Sequence, residues 1–549
     1  MNDAGIRQNL VEALNRVNDD VTPQLAARLL DPTCDLPIAE LGISSLEAVA
    51  WCLEIETLTG VEVGAAELPS VGSINKLADL IARRRLGGGA KAMPQLVQAP
   101  RDAPPPLSPL QEPIWAHSQT AAPSVDYTMF MLDKFIGPLD VTLLRDCLSY
   151  IVKRHEILRT TFTVKDGQPV QIVHPPEDVT LPVFDVSTKT NPSEAVLTIA
   201  ASEKSQVDLS RLPSMRFSLV HVSDEEHWLL RVCHHLIWED WSDRVLRNEL
   251  ALLYEAKREG KPLPLPETQT LHYADYAVWQ RQVFRRDGSA YQEALAWWKN
   301  LFQPAPRVSD LPFKRSAPIT GVDPREGRIK WPVDAMLAQR IARLAEEQGV
   351  PILTVWLGAL AALLQSETGA SDVLLGTYMT ARRRPELQDM LGFFANQVAL
   401  RFQCGTKMPF SSWLAAVDQL LKEAERRCDI PYVEILNELA RSGVVLTVPL
   451  VFFAPLDYGV HDKHFADLKL VRQRLEVPRP MPSHCWIKLL EYDKLQECLI
   501  AFDAGIYDPA AVRRFMSRLL EFLDAASRDP DASPEELLDA AQTREDALA

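Results

Sequence analysis

Arg231-Val-Cys-His-His-Leu-Ile-Trp-Glu-Asp-Trp-Ser242 is the stretch from which the rest of the chain is read. Before it, Trp228-Leu-Leu-Arg-Val-Cys233 reads as a strand that follows Phe217–His221 across a turn at Ser223-Asp-Glu-Glu226. After it, Trp241 to Tyr254 carries apolar residues at helical spacing. His234 and His235 therefore sit where a strand gives way to a helix. Neighbours in a strand point to opposite faces. Only one of the two histidines can look into a site, and the other belongs to the packing.

The chain has 549 residues, 47% hydrophobic and 24% charged, as expected of a globular protein of several units. Its net charge of −16 argues against nucleic acid or an anionic membrane as a main partner. The eight cysteines include no CxxC pair, so neither a zinc site nor a disulfide framework is expected. Cys52, Cys147 and Cys233 lie in apolar segments and read as buried free thiols. With no membrane-length apolar run and no signal-peptide pattern, the expected compartment is the reducing cytoplasm, and the chain is expected to be a monomer.

Residues 1–86 read as a small helical unit. Ile6, Leu10, Leu14 and Val17 mark one helix, Ser45 to Thr59 a second, and Ser73 to Arg85 a third. Ser44 and Ser45 stand at the start of the second helix, where a serine oxygen caps a free N–H. The stretch Asp35-Leu-Pro-Ile-Ala-Glu-Leu-Gly-Ile-Ser-Ser-Leu-Glu-Ala-Val-Ala-Trp51 resembles the LGxxSLxAV segment of acyl and peptidyl carrier proteins. That resemblance implies 4′-phosphopantetheine on Ser45. A helix N-terminus favours a phosphodiester through its free N–H groups and dipole.

Residues 87–106 read as a linker, glycine-rich at its start and proline-rich at its end. Beyond it, Leu107-Ser-Pro-Leu-Gln-Glu-Pro-Ile-Trp115, Arg154-His-Glu-Ile-Leu-Arg-Thr-Thr-Phe162, the histidine stretch, Tyr273-Ala-Asp-Tyr-Ala-Val-Trp-Gln280, Leu391-Gly-Phe-Phe-Ala-Asn-Gln397 and Arg427-Cys-Asp-Ile-Pro-Tyr432 occur in that order. Together they resemble the motifs of condensation domains in nonribosomal peptide synthetases. Strands mixed with flanking helices on both sides of residue 290 point independently to α+β layering. The expected architecture is a small all-helical carrier bundle followed by a V-shaped, two-lobe fold like chloramphenicol acetyltransferase. The first lobe is expected at 107–290, the second at 291–535, and a tail at 536–549. Loops around Asn396 and Pro449 to Pro455 would cross from the second lobe onto the first.

The resemblance implies transfer of an acyl, aminoacyl or peptidyl group from a carrier thioester to an acceptor amine, forming an amide. His235 would hold the attacking amine as base or as positioner, and His234 would serve structure. Glu239 stands where the family has Asp, and its expected partner is Arg159, or else Arg154, unless the pair is made differently. Asp240 stands where the family has Gly. It would cap a helix beginning at Trp241, raise the pKa of His235 or narrow the channel. Trp238 either shapes the channel or packs. Expected partners are a phosphopantetheinyl transferase, an adenylation or upstream synthase protein that loads the carrier, and a downstream carrier or a free amine. Two further readings remain open: a non-catalytic platform like the X domains that recruit oxygenases, and an ester-forming enzyme with a hydroxyl acceptor.

Overall fold

A computed structural model describes the chain except for residues 1–2, 18–20, 42, 44–47, 49–50, 53, 56–57, 60, 62, 65–66, 87–93, 121–126, 204–206, 320–325, 404–406, 447–448, 456–461, 474–484, 493–494 and 541–549. Near the N-terminus, helices Asp3–Val17, Pro23–Leu30 and Ile74–Leu86 enclose a core of Leu10, Leu14, Trp51, Ile55, Ile74 and Leu77. The indole of Trp51 donates to the Leu10 carbonyl at 3.1 Å, which ties the middle of this unit to its first helix. Ser44, Ser45 and much of the expected second helix lie outside the described residues.

The proline-rich half of the expected linker is bolted down. The Ala99 amide donates to Asp275 at 2.9 Å, and the Trp279 indole donates to the Pro94 carbonyl at 2.7 Å. Leu96 is buried in the core of the unit that follows. Composition alone suggests a joint here, because a proline-rich run does not show what its carbonyls and flanking amides will meet.

That unit is built on β1 (Thr128–Ile136), the hairpin β2 (Thr160–Lys165) and β3 (Gln168–Val173), β4 (Val183–Asp185), β5 (Met215–Ser223) and β6 (Glu226–His234). β5 and β6 pair antiparallel across the expected turn, and β6 pairs antiparallel with β1. One sheet face packs Met131, Phe135, Leu219 and Leu229 against helices Val141–Arg154 and Asp240–Arg258. The other face packs Leu132, Leu230 and Val232 against Val196 and Ala200 of helix Pro192–Ser202.

The second sheet contains β7 (Glu326–Val333), β8 (Val373–Thr380), β9 (Ala395–Phe402), β10 (Val451–Pro455), β13 (Cys485–Tyr492) and β14 (Leu495–Asp503), in the order β7-β14-β13-β10-β8-β9. Leu375, Phe453, Ile487 and Ile500 face helices Ile352–Thr368, Phe410–Glu425 and Pro509–Arg528 in a separate core. Leu537 and Leu538, expected in a tail, are buried in that core.

Among the described residues, two segments reach from the second sheet to the first unit. Residues 381–394 leave β8 and bury Leu387, Met390, Leu391 and Phe394 in the first core. Between β10 and β13, β11 (Lys463–Phe465) and β12 (Leu468–Gln473) form a hairpin that adds to the edge of β1. This corrects the expected crossing loop at Pro449 to Pro455. Val451–Pro455 is a parallel strand within the second sheet, and the crossing falls about a dozen residues later. An apolar run such as Val-Phe-Phe-Ala does not reveal which sheet it joins.

The crossing hairpin completes a charged layer. In register, β12 sets Arg472 opposite Asp133 of β1. Arg231 on β6 and Arg247 on helix Asp240–Arg258 both pair with the buried Asp133, and Arg231 also meets Asp243 at 2.6 Å. Removing one member of a buried ion pair costs about 3–5 kcal/mol, because a charge is left without water or partner. Asp133→Ala is therefore expected to destabilise the chain by about that amount, since it takes a buried carboxylate from both Arg231 and Arg247 and leaves Asp243 to compensate Arg231. Denaturant unfolding of the variant against the wild type measures it.

Candidate active site

β6 delivers the histidines. His234 is the last residue of the strand and lies opposite Thr128 of β1. It is buried, accepts the Leu236 amide on Nδ1 at 3.1 Å, and packs its ring against Tyr127. Burial, reinforced by His235 and His117, pushes its pKa down to about 4. It is a neutral packing residue that tightens the turn.

The chain then enters a single 3-10 turn, His235–Ile237. The His235 amide donates to the Tyr127 carbonyl at 2.7 Å, and its Nδ1 lies 2.6 Å from the Trp238 carbonyl. A carbonyl only accepts, so Nδ1 carries the proton and Nε2 presents a lone pair. The ring sits edge-on to Phe393 at 5.2 Å and remains half-buried. Burial holds the imidazole below its ordinary pKa, and the Trp238 carbonyl, Asp240 and Glu239 oppose that effect without overcoming it. The neutral form is the resting form.

Trp238 is fully buried in the first core, so it packs, and its carbonyl is what reaches the site. Glu239 is also buried. It accepts Arg382 Nε at 2.6 Å on one oxygen and the Phe394 amide at 3.1 Å on the other. This corrects the expected partner. Arg159 instead donates to the carbonyls of His174 and Lys153, and Arg154 pairs with Glu249 at 2.9 Å. Both of those arginines brace the first unit away from Glu239. Arg382 also donates to the Met390 carbonyl at 2.6 Å and lies over the Phe394 ring at 4.0 Å. The extra methylene of Glu239 is thus matched by a guanidinium that arrives on the 381–394 crossing.

Ser242 reinforces that crossing, donating to the Gly392 carbonyl at 3.0 Å and accepting the Gly392 amide at 3.1 Å. Only glycine fits at 392, since a Cβ there would lie 2.0 Å from the Tyr273 ring. Asn396 is part of β9, where its amide donates to the carbonyls of Cys428 and Ile430, both at 2.7 Å. Two of the motifs found in the sequence are thereby joined in space.

Asp240 is the first residue of helix Asp240–Arg258, so it does not cap a helix beginning at Trp241; Glu239 holds the cap position. The Asp240 carboxylate turns instead to Arg472 on β12, at 2.9 Å. Burial works to raise this carboxyl, and Arg472 outweighs it, keeping the group below the usual carboxylate range. Of the residues proposed from sequence, the structure brings together His234, His235, Glu239 and Asp240. It places Arg159 elsewhere, and Ser45 lies outside the described residues. Sequence reasoning misses Arg382 and Arg472. Arg382 is the first of three consecutive arginines ahead of the Leu391–Gln397 motif, and nothing in their spacing singles it out. Nothing local to Arg472 ties it to the histidine stretch.

Comparison with known proteins gives the family and the fold. The condensation domain family matches residues 104–548. The chain belongs to the condensation-domain family. Phosphinothricin tripeptide synthetase PhsC of Streptomyces viridochromogenes is 30% identical over 437 residues, covering 78% of this chain and 40% of that protein. A linear gramicidin synthase protein of Brevibacillus parabrevis is 28% identical over 502 residues, covering 89% of this chain and 6% of that protein. The chain thus spans well under half the length of these curated relatives. Among solved structures, the X-domain from teicoplanin biosynthesis superposes with a TM-score of 0.68 at 24% identity, covering 80% of this chain and 99% of that one. The first condensation domain of the calcium-dependent antibiotic synthetase gives 0.65 at 19%, covering 79% and 99%. These two likenesses concern the fold.

Glu239→Gln keeps the shape of the Arg382 contact and removes its charge. It is expected to destabilise by about 3–5 kcal/mol, whereas Arg159→Ala, which ends hydrogen bonds to carbonyls outside the site, is expected to cost about 1–2 kcal/mol. Thermal unfolding of the two variants side by side tests the reassigned pair.

Proposed function

We propose that the chain forms an amide by transferring an acyl, aminoacyl or peptidyl group from a carrier-held thioester to an acceptor amine. One observation carries this reading: the His235 Nδ1–H is fixed on the Trp238 carbonyl, and its Nε2 has no protein partner among the described residues, while burial favours the neutral ring. An imidazole so oriented can accept a hydrogen bond from an attacking amine and then its proton. Phe393 packs edge-on to the ring, and the Glu239–Arg382 pair holds the 381–394 crossing beside it. Positioning two reactants face to face can supply about 7–11 kcal/mol of barrier reduction, and a base adds about 10²–10⁴-fold. The retained His235 favours this reading over a non-catalytic platform.

We further propose that residues 1–86 are a carrier with 4′-phosphopantetheine on Ser45, followed by a linker to the transferase unit. Two features support this. The helical unit has its own core, and the similarity to the linear gramicidin synthase runs over more of the chain than the condensation match covers. Ser45 lies outside the described residues, and the chemistry of its segment is what fits the group. When bound, the arm would present the acyl chain as a thioester. Loading then falls to a phosphopantetheinyl transferase and to an adenylation or synthase partner.

His235→Ala is expected to lower product formation from acyl-loaded carrier and amine by about 10²–10⁴-fold. Equal turnover in both proteins would leave only a scaffold. Because burial depresses its pKa, His235 is expected to titrate below the ordinary value of about 6.5 and to be neutral throughout pH 7–8. NMR titration of labelled histidine reads this directly. Incubation with coenzyme A and a phosphopantetheinyl transferase is expected to add one arm by intact mass, and Ser45→Ala is expected to abolish that gain.

A further inference from the structure

We infer that Arg472 is a positioning residue for His235: the crossing strand β12 brings its guanidinium over so that the Asp240 carboxylate is held and compensated beside the imidazole. The rate readout below rests on the transferase reading, but the titration readout does not.

The sequence poses a chemical problem. Asp240 is five residues from His235, across one 3-10 turn, at a position where the resemblance calls for glycine. It is the first residue of a 19-residue helix, whose free N–H groups and dipole favour a negative charge. A carboxylate there stays ionised. Left uncompensated, it favours the imidazolium, which has no lone pair for an incoming amine. A site that needs a neutral imidazole must therefore answer this charge.

The structure answers it from the other sheet's connection. Arg472 Nη2 lies 2.9 Å from Asp240 Oδ1, and Arg472 Nε lies 3.8 Å from Asp243 Oδ2 one turn along the helix. The guanidinium bridges two acidic residues spaced three apart, a geometry suited to its planar fork. Its backbone is fixed by the β1–β12 pairing, so the charge is placed by a sheet and not by a loop. The other charged or titratable groups near His235 are accounted for separately. Glu239 is paired with Arg382, His234 is neutral, with His117 acting on it from helix Gln111–Thr120, Asp243 is shared with Arg231, and Lys488 of β13 acts on Asp240 from the second sheet. Among the described residues, Arg472 pairs directly with the Asp240 carboxylate, whose charge acts on His235.

The test is NMR titration of His235 in the full chain, its resonance assigned by loss in His235→Gln, combined with the pH dependence of amide formation. Arg472→Gln is expected to raise the His235 pKa by about one unit, and the acid limb of the rate should move with it. Arg472→Lys, which keeps the charge, should stay near the wild type. Asp240→Asn should lower the pKa, and Asp240→Asn/Arg472→Gln should return it to within a few tenths of the wild type. A folded Arg472→Gln protein whose His235 titrates as in the wild type overturns the proposal. If that variant does not fold, an Asp240→Asn protein with an unmoved His235 pKa overturns it equally. Titration shifts as expected, with no product from any variant or from the wild type, would sustain the electrostatic assignment and remove the transferase reading.

Discussion

The site depends on one buried ion pair. Glu239 belongs to the turn that carries His235, and Arg382 belongs to the segment that leaves the second sheet and enters the first core. Neither group is exposed to water, so each is stable only because the other is in place. The pair therefore does more than join two residues. It sets where the 381–394 segment enters, and with it the Phe394 amide, the Gly392 peptide held by Ser242 and the Phe393 ring beside the imidazole. Replacing the family's Asp with Glu lengthens this arm by a methylene, and the longer carboxylate still reaches both its guanidinium and its backbone donor.

A second layer of charge does the same for the other crossing. Asp133, Asp240 and Asp243 alternate with Arg231, Arg247 and Arg472 between the first sheet and the helix that follows the histidines. Three acids meet three arginines, so the layer they form carries no net charge. Burying such groups yields little net stability compared with apolar packing. Its consequence is geometric. A strand bearing Arg472 in register with Asp133 fits the edge of β1 in one way, which pins the hairpin and covers the edge of β1.

Between these two layers lies a histidine whose chemistry is set by its surroundings. Its proton is committed to a backbone carbonyl, its neighbour on the strand is neutral, and the Asp240 carboxylate is held by a guanidinium. Burial then decides the protonation state. Such a ring is suited to accept a proton from a nucleophile and poorly suited to serve as a resting cation.

Much of this was legible along the chain. The alternation in Phe217–His221 and Trp228–Cys233 predicts the β5–β6 hairpin, and helical spacing from Trp241 to Tyr254 predicts the helix that follows the histidines. The junction of strand and helix at His234 and His235 is legible too, although His235 lies in the 3-10 turn past the end of the strand. These are local properties, dictated by periodicities of about two and 3.6 residues. The partners of the acidic residues were not legible. Glu239 meets Arg382 across 143 positions, and Asp240 meets Arg472 across 232. Any of several arginines satisfies the chemistry equally well when read as letters. The choice among them was made by which segments cross between the sheets and in what register, and a chain reveals that only once it has folded.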